Sequence, residues 1–329
     1  MWIPLVLACV AAPTPPEGPA PASPAEGAPI TAAPAPSARP PDTPDVTTSS
    51  SPAAPGGTDG RVYAIGDLHG DFDNAIAALA ITGLVDATGR WTGGTATLVQ
   101  TGDVVDRGDE GKRLYAWLRA LSAEATAAGG RVVPLLGNHE VMNLRGDWRY
   151  VSPGDLAAYG GEEARKAAFS ATGEDGKWLR TLDAVATVGD TVFVHGGVTP
   201  EWASPDVNGR IRAAIDAKEP DPAIGDTGPL WWRGYVTDPE ATACPTLGTA
   251  LAALGAKRMV VGHTTRRDGR VEARCGGALV VIDIGISDGY GAHLGVVELR
   301  PVPGAMGGPA ATTDLWVDYP TGPEDLPDP

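Results

Sequence analysis

Five times between residues 62 and 263, a short β-rich run stops at a glycine beside an Asp, Asn or His. Val62-Tyr63-Ala64-Ile65 runs into Gly66-Asp67-Leu68-His69-Gly70, and Thr97-Leu98-Val99-Gln100 into Gly102-Asp103-Val104-Val105-Asp106-Arg107-Gly108. Val132-Val133-Pro134-Leu135-Leu136 runs into Gly137-Asn138-His139-Glu140, Val192-Phe193-Val194 into His195-Gly196-Gly197, and Met259-Val260-Val261 into Gly262-His263. Open α/β sheets place their chemistry at the carboxyl ends of strands. One such ending is an ordinary polar turn, but five predict a shared edge on which the polar side chains converge. An Asp-x-His pair in a tight loop can bring both side chains to one divalent ion, and flanking glycines turn without a Cβ clash. Four of the five histidines sit at these endings, where packing or solubility alone would scatter them. His293 is the exception and reads as an ordinary strand histidine.

Strand-like runs fall at 61–65, 95–101, 131–136, 191–194, 259–261, 278–284 and 294–299. Helical patterns fall between them, at 73–81, 111–128, 162–171, 211–218 and 247–254. This alternation predicts an α/β class with a largely buried sheet. Gly189-Asp190 and Gly276-Gly277 look like hairpin turns, so a mixed sheet is expected. There is no internal repeat.

A net charge of −16 argues against nucleic acid or an anionic membrane as partner, since binding phosphates over an extended surface needs a basic field. A phosphorylated substrate then needs local positive charge, from metals and a few arginines. None of Cys9, Cys244 and Cys275 has Arg six positions on, as a cysteine-phosphatase loop requires, and no Cys-x-x-Cys pair offers a zinc site.

Val6-Leu7-Ala8-Cys9 is similar to a bacterial lipobox, although it lacks a basic n-region and is shorter than the usual ~15–30 residues. Residues 1–9 are read as a lipoprotein signal with a lipid anchor at Cys9. Fourteen of the 31 prolines lie in residues 10–60, among Ala, Ser, Thr and Gly and without an aromatic residue. That stretch is expected to be a disordered spacer. Residues 61–300 form the expected catalytic domain and 301–329 a Pro- and Gly-rich tail. Export to the periplasm or cell surface follows if the signal is real, and a cytoplasmic location if it is not. With Cys9 lipidated, Cys244 and Cys275 remain as a pair, and a disulfide between them is expected in an oxidising compartment; two buried free thiols are the alternative.

The order Gly-Asp-x-His-Gly, Gly-Asp-x-x-Asp-Arg-Gly, Gly-Asn-His-Glu, His-Gly-Gly, Gly-His resembles the phosphoprotein phosphatase family of calcineurin-like metallophosphoesterases, over roughly 61–300. The wording from Gly137 to Asp147, Pro229 to Tyr235 and Lys257 to Thr264 resembles most the Shewanella-like bacterial branch. The resemblance implies two packed mixed β-sheets flanked by helices, with two metal ions at the strand ends. It implies that Asp67 and His69 hold the first ion, that Asp103 bridges, and that Asn138, His195 and His263 complete the second site. Mixed N/O donors suit Mn²⁺, expected first, or Fe or Zn²⁺. Two ions ~3.5–4 Å apart can share an attacking hydroxide and clamp a phosphoryl group.

His139, whose side chain diverges from that of Asn138, is read as the general acid, with Asp106 on its other nitrogen. Arg107 would take phosphate oxygens through its fork of donors. Arg233 is read as a second clamp, weighed against a surface arginine packed on Trp. The implied activity is a protein phosphatase acting on phosphotyrosine, phosphoserine or phosphothreonine. The alternatives are a dinucleoside polyphosphate hydrolase with the same motifs, and an inactive metal-binding surface scaffold, against which the complete motif set argues.

Overall fold

In the computed structural model, residues 60–217, 219–302 and 312–327 are described. Cys9 and residues 10–59 of the Pro-rich stretch lie outside them. One sheet has six strands in the order β11-β10-β9-β1-β2-β3. Strands β1 (Val62–Ile65), β2 (Thr97–Gln100) and β3 (Arg131–Pro134) are parallel. β9 (Val296–Val302), β10 (Thr312–Tyr319) and β11 (Gly322–Leu326) extend the sheet antiparallel from the free edge of β1. The second sheet has the order β4-β5-β6-β8-β7. Its parallel centre is β5 (Thr191–Val194), β6 (Arg258–Val261) and β8 (Leu279–Val281), with antiparallel β4 (Val185–Val188) and β7 (Glu272–Arg274) outside. The parallel strands read as unbroken apolar runs because both of their faces are covered. Leu98, Val99, Val192, Phe193, Val260 and Val280 are all fully buried in one hydrophobic core that draws on both sheets.

Helices flank the sheets. α1 (Phe72–Ile81) and α2 (Gly111–Ala127) follow β1 and β2, and α2 packs on β3. The buried face of α2 is Leu114, Tyr115, Leu118, Leu121 and Ala125, spaced three and four apart as one helical stripe requires. α3 (Asn138–Leu144) starts inside the third motif. α4 (Pro153–Tyr159), α5 (Glu162–Phe169) and α6 (Glu174–Leu179) form a packed helical run. α7 (Val207–Asp216), the short α8 (Gly234–Thr237) and α9 (Glu240–Leu254) complete the helices, with α8 packed on α9. Among the described residues no helix is long and apolar enough to cross a membrane.

Both expected turns are present, Gly189-Asp190 joining β4 to β5 and Gly276-Gly277 lying between β7 and β8. Cys244 in α9 is bonded to Cys275 beside the second of these turns, as expected. Two expectations fail. The stretch beyond residue 300 is not a tail, because β9 runs to Val302 and β10 and β11 add two strands. Leu315, Val317 and Tyr319 alternate inward along β10, a strand signal masked by the neighbouring Pro and Gly. Pro323 is tolerated in β11 because that strand is the sheet edge. His293 lies in the loop before β9 rather than in a strand.

Candidate metal centre

The five motif loops leave β1, β2, β3, β5 and β6 at their carboxyl ends, and the two sheets bring those ends together. Leu68 N and His69 N both donate to Asp103 O, and Gly70 N donates to Val104 O. Gly262 N donates to His195 O, and His263 N to Asp67 Oδ1. Glycine is required where the loops touch: a Cβ on Gly137 would stand 2.2 Å from Asp103 Oδ1, and one on Gly262 2.5 Å from Asp67 Oδ1. His69, Asp103, Asp106, Arg107 and His263 all adopt positive φ, between 43° and 71°. Each such residue costs ~1–3 kcal/mol, a strain that persists only where its surroundings over-determine it.

Asp67, His69, Asp103, Asn138, His195 and His263 are all buried, none more than 6% exposed. Asp103 Oδ2 is 3.2 Å from His195 Nε2, 3.8 Å from His139 Nε2 and 3.9 Å from His69 Nε2. His195 Nε2 is also 2.9 Å from Asn138 Oδ1 and 3.0 Å from His263 Nδ1. Asp67 Oδ2 is 3.9 Å from His69 Nε2. The donor atoms fall into two groups that share Asp103. Those of His69, Asp103 and His139 lie within 4.8 Å of one another, as do those of Asp103, His195 and His263.

The hydrogen-bond partners of the imidazoles make this set fit cations. His69 Nδ1, His195 Nδ1 and His263 Nε2 each face a backbone carbonyl, of Val105, Thr101 and Trp231 respectively. A carbonyl only accepts, so those nitrogens carry the hydrogens and a neutral ring turns its lone pair inward. The inward nitrogens of His195 and His263 then face each other, an amide oxygen and a carboxylate, an arrangement of acceptors that a cation satisfies. A backbone acceptor on the outer nitrogen is the usual support of a metal-ligating histidine.

The local electrostatics agree. Burial drives His69 down to about 4 and His263 to about 2, keeping both rings neutral. Burial also raises Asp67, and the charges of Asp283 and Asp103 add to the effect. Burial opposes ionisation of Asp103, but His195, His139 and His69 outweigh it and hold the carboxyl well below its ordinary range.

His139 Nδ1 lies 2.7 Å from Asp106 Oδ2. Burial lowers the His139 imidazole, yet Asp103 and Asp106 together raise it above its ordinary value. Outside the donor groups is a cleft of about 360 Å³, lined by Arg107, Asn138, His139, Met142, Asp147, Arg149, Tyr150, Ile224, Gly225, Asp226, Trp231, Arg233 and His263. The Arg107 guanidinium lies over the Tyr150 ring, 3.9 Å from its centre. Arg233 donates to the His263 carbonyl and the Thr264 hydroxyl and lines this cleft beside Trp231. Arg149 and Tyr150 carry no motif signal of their own.

Glu140 and Asp283 support these loops. Glu140 accepts from the backbone N–H of Gly137, Asp103 and Val104 and from the Tyr115 hydroxyl, clamping the second and third loops together. Asp283 follows β8, a sixth parallel strand end, and accepts from Thr265 Oγ1 and Gly285 N. The signal that could have found it is the apolar run Leu279–Ile282 stopping at an Asp two residues before a glycine.

Residues 60–267 match the family model described as calcineurin-like phosphoesterase. The chain is 40% identical over 255 residues to an uncharacterised protein of Schizosaccharomyces pombe, covering 72% of this chain and 76% of that one. It is 33% identical over 294 residues to Shewanella-like protein phosphatase 2 of Arabidopsis thaliana, covering 73% and 75%. Its fold is similar to the crystal structure of a cold-active protein-tyrosine phosphatase of a psychrophilic Shewanella, with TM-score 0.68, 29% identity, and 81% and 80% of the two chains covered.

Proposed function

Because the chain belongs to the calcineurin-like phosphoesterase family, in its Shewanella-like protein phosphatase branch, and is a metal-dependent phosphatase, we propose that it dephosphorylates proteins, with phosphotyrosine as the preferred residue. The observation that carries this reading is the pair of donor groups sharing Asp103 at the base of an arginine-lined cleft. Asp67, His69 and Asp103 would hold one ion, and Asp103, Asn138, His195 and His263 the other. Manganese is the first ion proposed for this mixed N/O donor set, with iron or zinc as the alternatives. The ions, when bound, supply Lewis acidity that draws charge from phosphoryl oxygens and acidifies water.

This chain's own groups do the rest. Arg107 and Arg233 bind the phosphoryl oxygens, and their planar forks fix its orientation. Tyr150 and Trp231 supply flat apolar walls beside them, which suit an aryl ester better than an alkyl one. His139 holds a proton on Nε2 and delivers it to the leaving oxygen, with Asp106 keeping the ring charged and oriented.

Metal analysis of the purified protein, coupled to rates on a phosphotyrosine peptide, a phosphoserine peptide and diadenosine tetraphosphate, tests the reading. The expected result is bound divalent metal and fastest turnover of the phosphotyrosine peptide. Faster turnover of diadenosine tetraphosphate would assign the chain to nucleotide hydrolysis, and metal without any turnover would leave a scaffold.

Export of the chain as a lipoprotein anchored at Cys9 is part of the proposal, supported by the Cys244–Cys275 bond, which persists in oxidising compartments. Protein recovered from native membranes is expected to show no free thiol when denatured without reductant. Free thiols at all three cysteines would place it in the cytoplasm.

A further inference from the structure

Behind His139, on the side away from the cleft, lies a guanidinium with no access to water. Arg165, in α5, is 0% exposed. Its Nε donates to Asp155 Oδ2 at 2.9 Å and its Nη1 to Asn143 Oδ1 at 2.6 Å. Its Nη2 stands 3.7 Å from Asp106 Oδ1. Its ring-facing side lies on Phe169, 4.4 Å from the ring centre. Replacing a buried ion pair by apolar side chains is often neutral or stabilising, so packing alone does not call for an arginine here.

The chemistry of the donors sets the rest of the chain of contacts. A guanidinium has donors only, so the atom facing it must be the Asn143 oxygen and not its nitrogen. The Asn143 NH2 is thereby turned toward Asp106, lying 3.0 Å from each carboxylate oxygen, and toward the His139 carbonyl at 2.9 Å. His139 and Asn143 are four apart in α3, hence on one face of that helix. Asp106 is thus gripped on both oxygens while Oδ2 also meets His139 Nδ1. A flipped amide would set Asn143 Oδ1 against the carboxylate, two acceptors in contact, and release the imidazole.

We propose that Arg165 and Asn143 are positioning residues: Arg165 fixes the amide of Asn143, and Asn143 fixes Asp106 so that His139 Nε2 points at the leaving oxygen. The inference rests on the general-acid role proposed for His139 above.

Leaving-group dependence is the test. 4-Nitrophenolate departs without a proton, whereas phenolate needs one. Asn143→Asp keeps the side-chain shape and gives Arg165 an acceptor, but it removes both contacts to Asp106 and adds a like charge. Turnover of 4-nitrophenyl phosphate is expected to stay within ~3-fold of wild type, and that of phenyl phosphate to fall by ~30-fold or more, part of the 10²–10⁴ a general acid supplies. Arg165→Lys is expected to show the same skew, more weakly. In histidine-labelled protein the downfield Nδ1 proton resonance of His139 is expected to vanish or shift in both variants. Asn143→Ala removes the amide without adding charge, and it is read in the same way should Asn143→Asp fail to fold. Equal losses on both substrates, with the His139 resonance in place, would overturn the proposal. A His139→Ala protein with the wild-type leaving-group dependence would remove the acid role itself, and this inference with it.

Discussion

Asp103 is the carboxylate common to both donor groups, and its Oδ2 faces three imidazoles within 3.9 Å. Asparagine has the same shape but sets either a donor or a weak acceptor there, and it brings no charge. Asp103→Asn is expected to abolish measurable turnover and to lose metal on dialysis, checked by elemental analysis; normal metal content with normal rates would end the bridging role. His139→Ala is expected to keep its metal while kcat falls by ~10²–10⁴. Metal loss in that variant would instead put Nε2 in the ligand set with His69 and Asp103, where the distances also allow it. The residues offering donors were legible in the sequence because each is a polar side chain beside a glycine at a strand end. Glu140 was legible as part of a motif but not in its role, since its partners Asp103 and Val104 lie 36 to 37 positions away and meet it only in the folded chain. Asn143 lies within the Gly137–Asp147 wording but with no role legible there, Arg165 has no local pattern, and the meaning of both comes from the donor-only chemistry of a buried guanidinium.

The elements were legible where one periodicity dominated, as in α2 with its three-and-four spacing or β5 and β6 with their unbroken apolar runs. Short helices such as α4 and α6, of seven and six residues, are too brief for a stripe to stand out. β10 was hidden by the Pro- and Gly-rich segment before it, although Leu315, Val317 and Tyr319 bury one face completely. On its other face Asp318 sits near Glu298 of β9. Burial, followed by the Glu298 charge, pushes Asp318 up to about 6. A carboxyl raised on folding contributes stability that is full below its unfolded value near 4 and is lost as pH rises through 6. At pH 8 the ionised pair therefore weighs against the sheet. Asp318→Asn removes that charge and keeps a donor for Glu298. It is expected to stabilise the protein by on the order of 1 kcal/mol at pH 8, after discounting for partial exposure, and to have no effect near pH 4. Urea denaturation at the two pH values checks it, and equal shifts at both would mean that packing rather than charge governs the position.

Across the whole molecule, a net charge of −16 makes concentrated negative charge the general burden of the fold, and it is heaviest where the two sheets meet. Asp67, Asp103, Glu140 and Asp283 are all at least 97% removed from solvent there. Burial raises Asp67, Glu140 and Asp283, so each costs stability as pH rises through its folded value. Asp103 is held low and runs the other way, its contribution being lost as pH falls. The raised carboxyls leave the ion-free protein carrying a penalty at neutral and alkaline pH, and bound cations offset that penalty. At 100 times the dissociation constant one site adds ~2.7 kcal/mol, which at 2–4 °C per kcal/mol for a chain of this size is roughly 5–10 °C in Tm. Removing metal with a chelator at pH 8 is therefore expected to lower Tm by at least that much. The gap between loaded and stripped protein is expected to close toward pH 5, because protons compete with cations for the same ligands and relieve the same repulsion. Scanning calorimetry of chelated and manganese-loaded protein at both pH values measures it. A Tm that the chelator leaves unmoved at pH 8 would mean that hydrogen bonds alone hold the six strand ends together, and the cation-fitting donor set would lose its physical basis.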